Sequence, residues 1–401
     1  MLSIFRGKHW TKRWCCSLWL WSLPLAAMDW HGYGSVRLGQ FSMQGQDAEI
    51  PEFYRGSTGL SFSEETLFGL QLQHDMADDL QLVAQWQARG NRDFQPDTKL
   101  LFLRWQLNDA WHVKAGRLDI PLFAQSDTQY IGFSHNYSRL PKSVYWRFDF
   151  ETGEGVSVEH QHNWRWATFK TQLQWSDFDG LLFKSAAGGA GIPSQLRDIR
   201  ALKFNVDTAN ANLVAGVMKT RVNLHSLDQR FAASLTPTLQ QLGGSPAQIA
   251  DFFADTSFSR PGMYWFYGVT YRLGAWQVEV ERTRYGVEGA IDGQTSAWFA
   301  AASRRFDDLV LTVHHEQITK HPLPASDVLR PSTPSQFYPL LPVMVTSLNQ
   351  RLLRLNVLSA RYDITPSIAL KADYMRGDVL YVVDGSAKAA SGFSVGVDFV
   401  F

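Results

Sequence analysis

The sequence predicts an all-β chain that crosses a membrane as an up-and-down antiparallel β-barrel of about sixteen strands. Three observations carry that prediction. Segments of roughly ten residues alternate apolar and polar side chains, the pattern of a strand with one face in lipid and the other in water. Every second connection between them is a tight turn, while the connections in between are generally long. No window supplies the ~20 consecutive apolar residues that a membrane-spanning helix needs.

The chain begins with Arg6, Lys8, Lys12 and Arg13, then an apolar run Ser17 to Leu25, then Ala26 and Ala27. A basic region, an apolar core and small residues in that order read as an export signal spanning residues 1–27, with the barrel occupying 28–401. Residues 1–27 hold four of the 38 Lys and Arg residues and no Asp or Glu, so the remainder has 34 basic against 38 acidic side chains. That balance is not the footprint of a nucleic-acid binder. Both cysteines, Cys15 and Cys16, also fall in the signal. The exported chain therefore has no disulfide, no thiolate metal site and no cysteine nucleophile, and no cofactor is implied.

The strands follow in order. The first covers 28–41. In the second, 65–75, Phe68, Leu70 and Leu72 oppose Gly69, Gln71 and Gln73. The third, 79–90, is the clearest: Leu80, Leu82, Ala84, Trp86 and Ala88 stand against Gln81, Val83, Gln85, Gln87 and Arg89. Further strands are read at 97–107, 110–119, 151–161, 164–175, 197–207, 211–222, 261–273, 275–287, 295–306, 308–319, 348–362, 367–380 and 390–401.

Turn residues sit at the short connections: Ala77-Asp78, Asn108-Asp109, His162-Asn163, Thr208 to Asn210, Gly274, Asp307 and Thr365-Pro366. The long connections are 42–64, 120–150, 176–196, 223–260 and 320–347. Trp105 and Trp111 flank one turn, Trp164 and Trp166 follow another, and Tyr271 and Trp276 bracket Gly274. Such aromatics suit the headgroup zone, where the ring is in apolar surroundings and its N–H or O–H is wet.

The last strand, Ser391 to Phe401, places Phe393, Val395, Val397, Phe399 and Phe401 on one face and Ser394, Gly396 and Asp398 on the other. Taken alone, it fits a soluble sandwich as well as a barrel. With its terminal aromatic it resembles the closing strand of Gram-negative outer-membrane barrels, a resemblance that makes Phe401 an assembly signal read by the barrel-assembly machinery. His31-Gly32-Tyr33 resembles the opening of maltoporin-like and other porins. As an architecture, residues 1–401 resemble the general-porin superfamily. The resemblance implies an outer-membrane channel for passive diffusion of small hydrophilic solutes, set among outer-membrane lipids and commonly a homotrimer.

In that superfamily the third outer loop folds into the lumen and sets its width. Here that is 120–150, which makes Arg117, Asp119, Asp127, Arg139, Lys142 and Arg147 the candidate constriction residues. Arg117 breaks the parity of its strand, since Trp111, Val113 and Ala115 face outward. Either a bulge at Gly116 turns it inward, or the strand has left the membrane by that point; both avoid the ~2–4 kcal/mol cost of a charge on the lipid face at midplane. Parity makes Arg89, Arg104, Lys114, Lys170, Lys203, Arg272, Arg354 and Lys371 the lumen-facing bases, and Asp75, Glu159, Glu279, Glu281, Glu316, Asp373 and Asp398 the acids. Eight against seven does not decide a selectivity.

Two other channel readings stand beside passive diffusion. Tyr130, Phe133, Tyr137, Tyr145 and Trp146 suit either a sugar slide or packing of the loop against the barrel wall, and Gly116 to Pro121 is similar to a segment of phosphate-selective porins. Catalysis is not indicated: in His314-His315-Glu316 the middle residue of a strand points away from its neighbours, which makes neither a zinc pair nor a triad. An adhesin would place its function in loops 223–260 and 320–347.

Overall fold

The computed structural model describes residues 28–43, 59–145, 150–182, 191–291, 293–321, 323–347, 351–381 and 387–401. The export signal at 1–27 and Arg147 lie outside them. Sixteen antiparallel strands form one closed barrel, each paired with its neighbours in sequence and the last with the first. They are β1 (Asp29–Met43), β2 (Leu67–Ala77), β3 (Leu80–Arg89), β4 (Pro96–Asn108), β5 (Trp111–Asp119), β6 (Thr152–Asn163), β7 (Ala167–Leu182) and β8 (Ile192–Thr208). The second half comprises β9 (Ala211–Asn223), β10 (Pro261–Leu273), β11 (Trp276–Val287), β12 (Gln294–Phe306), β13 (Leu309–His321), β14 (Arg351–Thr365), β15 (Ile368–Tyr381) and β16 (Ala387–Val400). Closure leaves no unpaired edge.

The tight turns are chemically specified. Asn108 Oδ1 accepts from the backbone N–H groups of Ala110 and Trp111 at 2.9 and 3.1 Å, and Thr208 Oγ1 accepts from Ala211 N at 2.8 Å. Gly274 and Asp307 take φ of 57° and 51°, the left-handed region that glycine and aspartate enter most readily. Around these turns Trp105, Trp111, Trp164, Trp166, Tyr271 and Trp276 all stand exposed on the outside, as a girdle at the membrane boundary requires.

The seam between β1 and β16 is closed by the end of the chain. Gly32 N donates to the Phe401 carbonyl at 2.8 Å, and Phe401 N returns to the Gly32 carbonyl at 2.9 Å. A Cβ on Gly32 or Gly34 would stand 2.1 or 2.5 Å from the rings of Phe401 and Phe399, so both glycines make room for the aromatics of the closing strand.

The hydrophobic core lies inside the barrel. The outer connections between β9 and β10 and between β13 and β14 contain helices: α1 and α2 in the first (His225–Gln241 and Pro246–Thr256), α3 and α4 in the second (Ala325–Val328 and Leu340–Ser347). Phe252 of α2 packs edge-on against Phe337 at 5.8 Å, and Arg330 binds Asp251 and Asp255 at 2.6 and 2.8 Å, so the two connections are tied together. Their apolar residues belong to one cluster with Ile120, Leu122 and Phe123 and with inward residues of the outer barrel half such as Leu353, Leu355, Val357 and Met375.

Candidate pore constriction

After Asp119 the chain turns into the barrel instead of away from it. Ile120, Leu122, Phe123, Tyr137, Leu140, Val144 and Tyr145 are almost fully buried against the inward wall. Burying a stretch with little regular structure requires partners for its backbone polar groups, and the barrel wall supplies them by charge.

On one side the wall offers cations to carbonyls. Lys371 Nζ donates to the carbonyls of Gly132, His135 and Tyr137 at 2.5, 2.6 and 3.2 Å. Arg361 Nη1 donates to those of Phe133 and His135 at 2.6 and 2.9 Å. Asp398 sits between Lys371 and Arg37, at 3.0 and 2.5 Å, and holds the two cations in a fully buried triad. On the other side the wall offers carboxylates to N–H and O–H groups. Glu281 accepts from Ala124 N at 3.0 Å and from the Tyr145 hydroxyl, and Glu279 from the Tyr137 hydroxyl at 3.1 Å. Glu316 accepts from Ser143 N at 2.7 Å and Asp373 from Ser138 N at 3.1 Å. Lys203 Nζ reaches the Ala124 carbonyl at 3.2 Å. The segment is thus held by β8, β11 and β13 and by β14, β15, β16 and β1, with β15 supplying both Lys371 and Asp373.

Where the segment leaves and rejoins the wall, four charges converge. Lys99 Nζ lies 2.8 Å from Asp119 and 2.9 Å from Glu151, while Arg89 Nη1 donates to the Tyr130 hydroxyl at 2.5 Å and to Glu151 at 3.3 Å. Burial pushes the Glu151 carboxyl up, but Lys99 and Arg89 more than offset it and hold it well below the usual carboxylate range. His135, buried on the inward segment and facing Lys371, is pushed down to about 3 and stays neutral, its Nε2–H donating to the Thr128 carbonyl at 2.9 Å.

The residues that the sequence nominated fall into four groups. Arg89, Glu279, Glu281, Lys371 and Asp373 face the interior but are covered by the inward segment, so they anchor it where parity alone placed them in open water. Asp119 joins the Lys99 cluster, Arg139 is paired with Glu65, Lys142 is buried on the inward segment, and Asp127 stands exposed on it. Arg104, Lys114, Lys170, Lys203 and Arg272 face inward with side chains at least partly in water.

Two nominated residues face outward. At Gly116 the register is unbroken, Phe102 opposite Gly116 and Gly116 opposite Gly155, so no bulge reverses the strand. Arg117 therefore continues the outward face, between Leu101 and Glu154, whose carboxylate lies 3.5 Å away. It does not reach the constriction. Arg354 is likewise outside, 2.5 Å from Asp378. On β14 the inward face is Leu353, Leu355, Val357, Ser359 and Arg361, and its first three residues are apolar because they meet the core.

Lys99, Arg361 and Arg37 were not foreseen. Lys99 shares parity with the outward Leu101, but a register shift opposite Gln85 and Trp86 makes it the extra residue of a bulge and turns it inward. Arg361 followed from the inverted reading of β14. Arg37 was legible, since it alternates in phase with Tyr33 and Ser35.

No protein-family model and no curated protein sequence matches the chain. Among solved structures it is similar to OmpF of Salmonella typhi in complex with daunomycin, at 12% identity and a TM-score of 0.56 over 93% of this chain and 97% of that one. It is similar to an anion-selective porin from Comamonas acidovorans at 11% identity and a TM-score of 0.54, covering 94% and 99%. The third is a loop-L8 deletion mutant of OmpT, an outer membrane protein of Vibrio cholerae, at 13% identity and 0.53, covering 94% and 100%. The fold is that of a porin-like outer-membrane barrel. At these identities the likeness concerns the fold, and the porin-like barrel of this chain has its own set of wall charges.

Proposed function

We propose that this chain is a non-enzymatic outer-membrane channel through which small hydrophilic solutes diffuse passively, with residues 120–145 as its constriction. The observation that carries this reading is the inward segment itself, bound on both sides by wall charges. Below it the inward faces are polar: Gln71, Gln73, Gln81, Gln161, Gln172 and Asn205 alternate with the charges named above. Export by residues 1–27, assembly through Phe401 and a homotrimer in the membrane complete the reading.

One observation favours a preference for anions. In the water-facing part of the lumen, Lys114 is paired with Glu159 at 2.6 Å, Lys170 with Asp207 at 3.1 Å and Arg305 with Asp363 at 2.9 Å. Among the described residues Arg104, Lys203 and Arg272 have no carboxylate partner; against these three stand Asp127, exposed on the inward segment, and Asp29 and Asp75 near the periplasmic rim. Local excess of one sign at close quarters, rather than net charge, sets selectivity.

The test is single-channel recording of the refolded protein in a planar bilayer under a salt gradient. Ohmic steps with a reversal potential on the anion side are expected, and the double variant Arg104→Gln/Arg272→Gln should move that potential toward cations. A correctly folded barrel without conductance would reject the diffusion channel. Conductance with cation preference would reject the anion reading alone.

A further inference from the structure

The outward wall of β9–β12 carries charge where a lipid-facing surface is ordinarily apolar. Lys219, Arg282 and Arg284 share the outward face with Val217, Val278 and Val280. Their neighbours Arg197, Arg200 and Arg221 are balanced by Asp177, Asp179 and Asp198. Among the described residues Lys219, Arg282 and Arg284 have no carboxylate partner, and the Nε of Arg284 is buried without any hydrogen-bond acceptor.

Their height on the barrel is informative. A strand advances ~3.4 Å per residue and is inclined by about 35–45°, so it climbs ~2.6 Å per residue along the membrane normal. From Trp276 at the periplasmic girdle, Arg282 is therefore ~16 Å up and Arg284 ~21 Å, near the outer edge of an apolar band ~25 Å tall. A second set of outward aromatics lies at that level: Trp265 and Tyr267 stack at 5.8 Å and 6°, and Trp298 faces Arg282 across the sheet. Arg284 stands opposite Trp265, and Lys219 opposite Met263. With Leu323 from the outer connection, Lys219, Met263, Trp265 and Arg284 line a groove of about 530 Å³, to which Glu288 contributes the one acidic side chain.

We propose that this groove holds a phosphorylated lipid of the outer leaflet. Arg284 and Lys219, which line the groove, take the phosphate, for which a guanidinium fork is geometrically suited, and Arg282, two residues away on the same outward face, adds its charge from beside it. The indole and thioether surface takes the adjoining acyl chain or sugar. Charge complementarity selects this occupant: a neutral lipid or a detergent tail would leave three cations uncompensated on an apolar wall. The inference rests on the chain being an outer-membrane barrel.

The experiment is native mass spectrometry of the refolded barrel released from micelles doped with bis-phosphorylated lipid A. The wild type should retain the lipid, and Lys219→Gln/Arg282→Gln/Arg284→Gln should lose at least about tenfold in retention. Arg376→Gln, which removes an outward cation from β15, should retain it fully. Lipid A stripped of phosphate and inorganic phosphate alone should both fail to bind the wild type. Heat-modifiable migration and channel conductance, measured on each protein, separate a failed lipid site from a failed barrel. Equal retention by the triple variant, or equal retention of the dephosphorylated lipid, overturns the proposal. So does a disulfide between Tyr267→Cys copies, at an exposed position of this face, which would place a second chain on this wall.

Discussion

Lys371 shows how completely a wall charge is committed to the inward segment. Its three carbonyl acceptors and Asp398 account for every direction its ammonium offers. Lys371→Met removes those donors from buried carbonyls at a cost of ~1–3 kcal/mol for each left unsatisfied, while the β15 ladder is untouched. The barrel should still migrate as a folded species, and limited proteolysis should now cut between residues 125 and 140; unchanged resistance to protease would contradict the anchoring role. His135 makes a second prediction with a definite sign. Its folded value of about 3 lies below the ordinary ~6.5, so a released segment binds a proton that the docked one does not. Docking is complete above pH ~6.5 and weakens as pH falls toward 3. The groups facing His135 are Lys371, Arg37 and Asp398, together with Arg361 at its carbonyl. Proteolytic release should therefore rise from pH 7 to 4.5, and His135→Gln should flatten the part of that rise that this ring contributes.

At the scale of the element, the β1–β16 seam leaves no room for a larger residue at Gly396. A Cβ on Gly396 would stand 2.3 Å from the Val36 carbonyl oxygen and 2.8 Å from the Arg37 Cα, both backbone atoms of the paired strand. Gly396→Val cannot be relieved by rotating a side chain, and overpacking of this kind costs ~1–3 kcal/mol. A lower urea midpoint for loss of the heat-modifiable form is expected, whereas an unchanged midpoint would mean that the seam can open to admit the side chain. The periodicity of these strands was legible for a simple reason. Below the inward segment one face meets lipid and the other water, so polarity alternates with a period of two. Above it both faces turn apolar, one toward lipid and the other toward the core. There the alternation of β14 reads backwards, and parity places Arg354 on the side opposite to the one it occupies.

At the scale of the molecule, two layers of bonding are separable. The strand ladders close the barrel without any contribution from residues 120–145, which attach through side chains. Replacing 124–140 by a short glycine-serine linker should leave a folded barrel of severalfold larger conductance. A collapsed conductance would show instead that the segment holds the wall apart. The wall charges near the segment are largely consumed in pairs and anchors, which is why counting lumen residues by sign in the sequence came out balanced. Selectivity depends on which charges remain free in water, and that is a property of the folded assembly.

The sequence by itself determined the barrel, its strand order, its turns and the side on which the aromatic girdle sits, because each of these follows from local alternation and turn chemistry. The connection 120–150 is nominated through the resemblance to the general-porin superfamily, and neither alternation nor turn chemistry singles it out. Only the tertiary structure decided which charges anchor that connection, that Lys99 is turned inward by a bulge, and that Arg117 and Arg354 face away from the pore. Those outcomes depend on register between strands and on what fills the interior, and a one-residue shift in register exchanges the two faces of a strand.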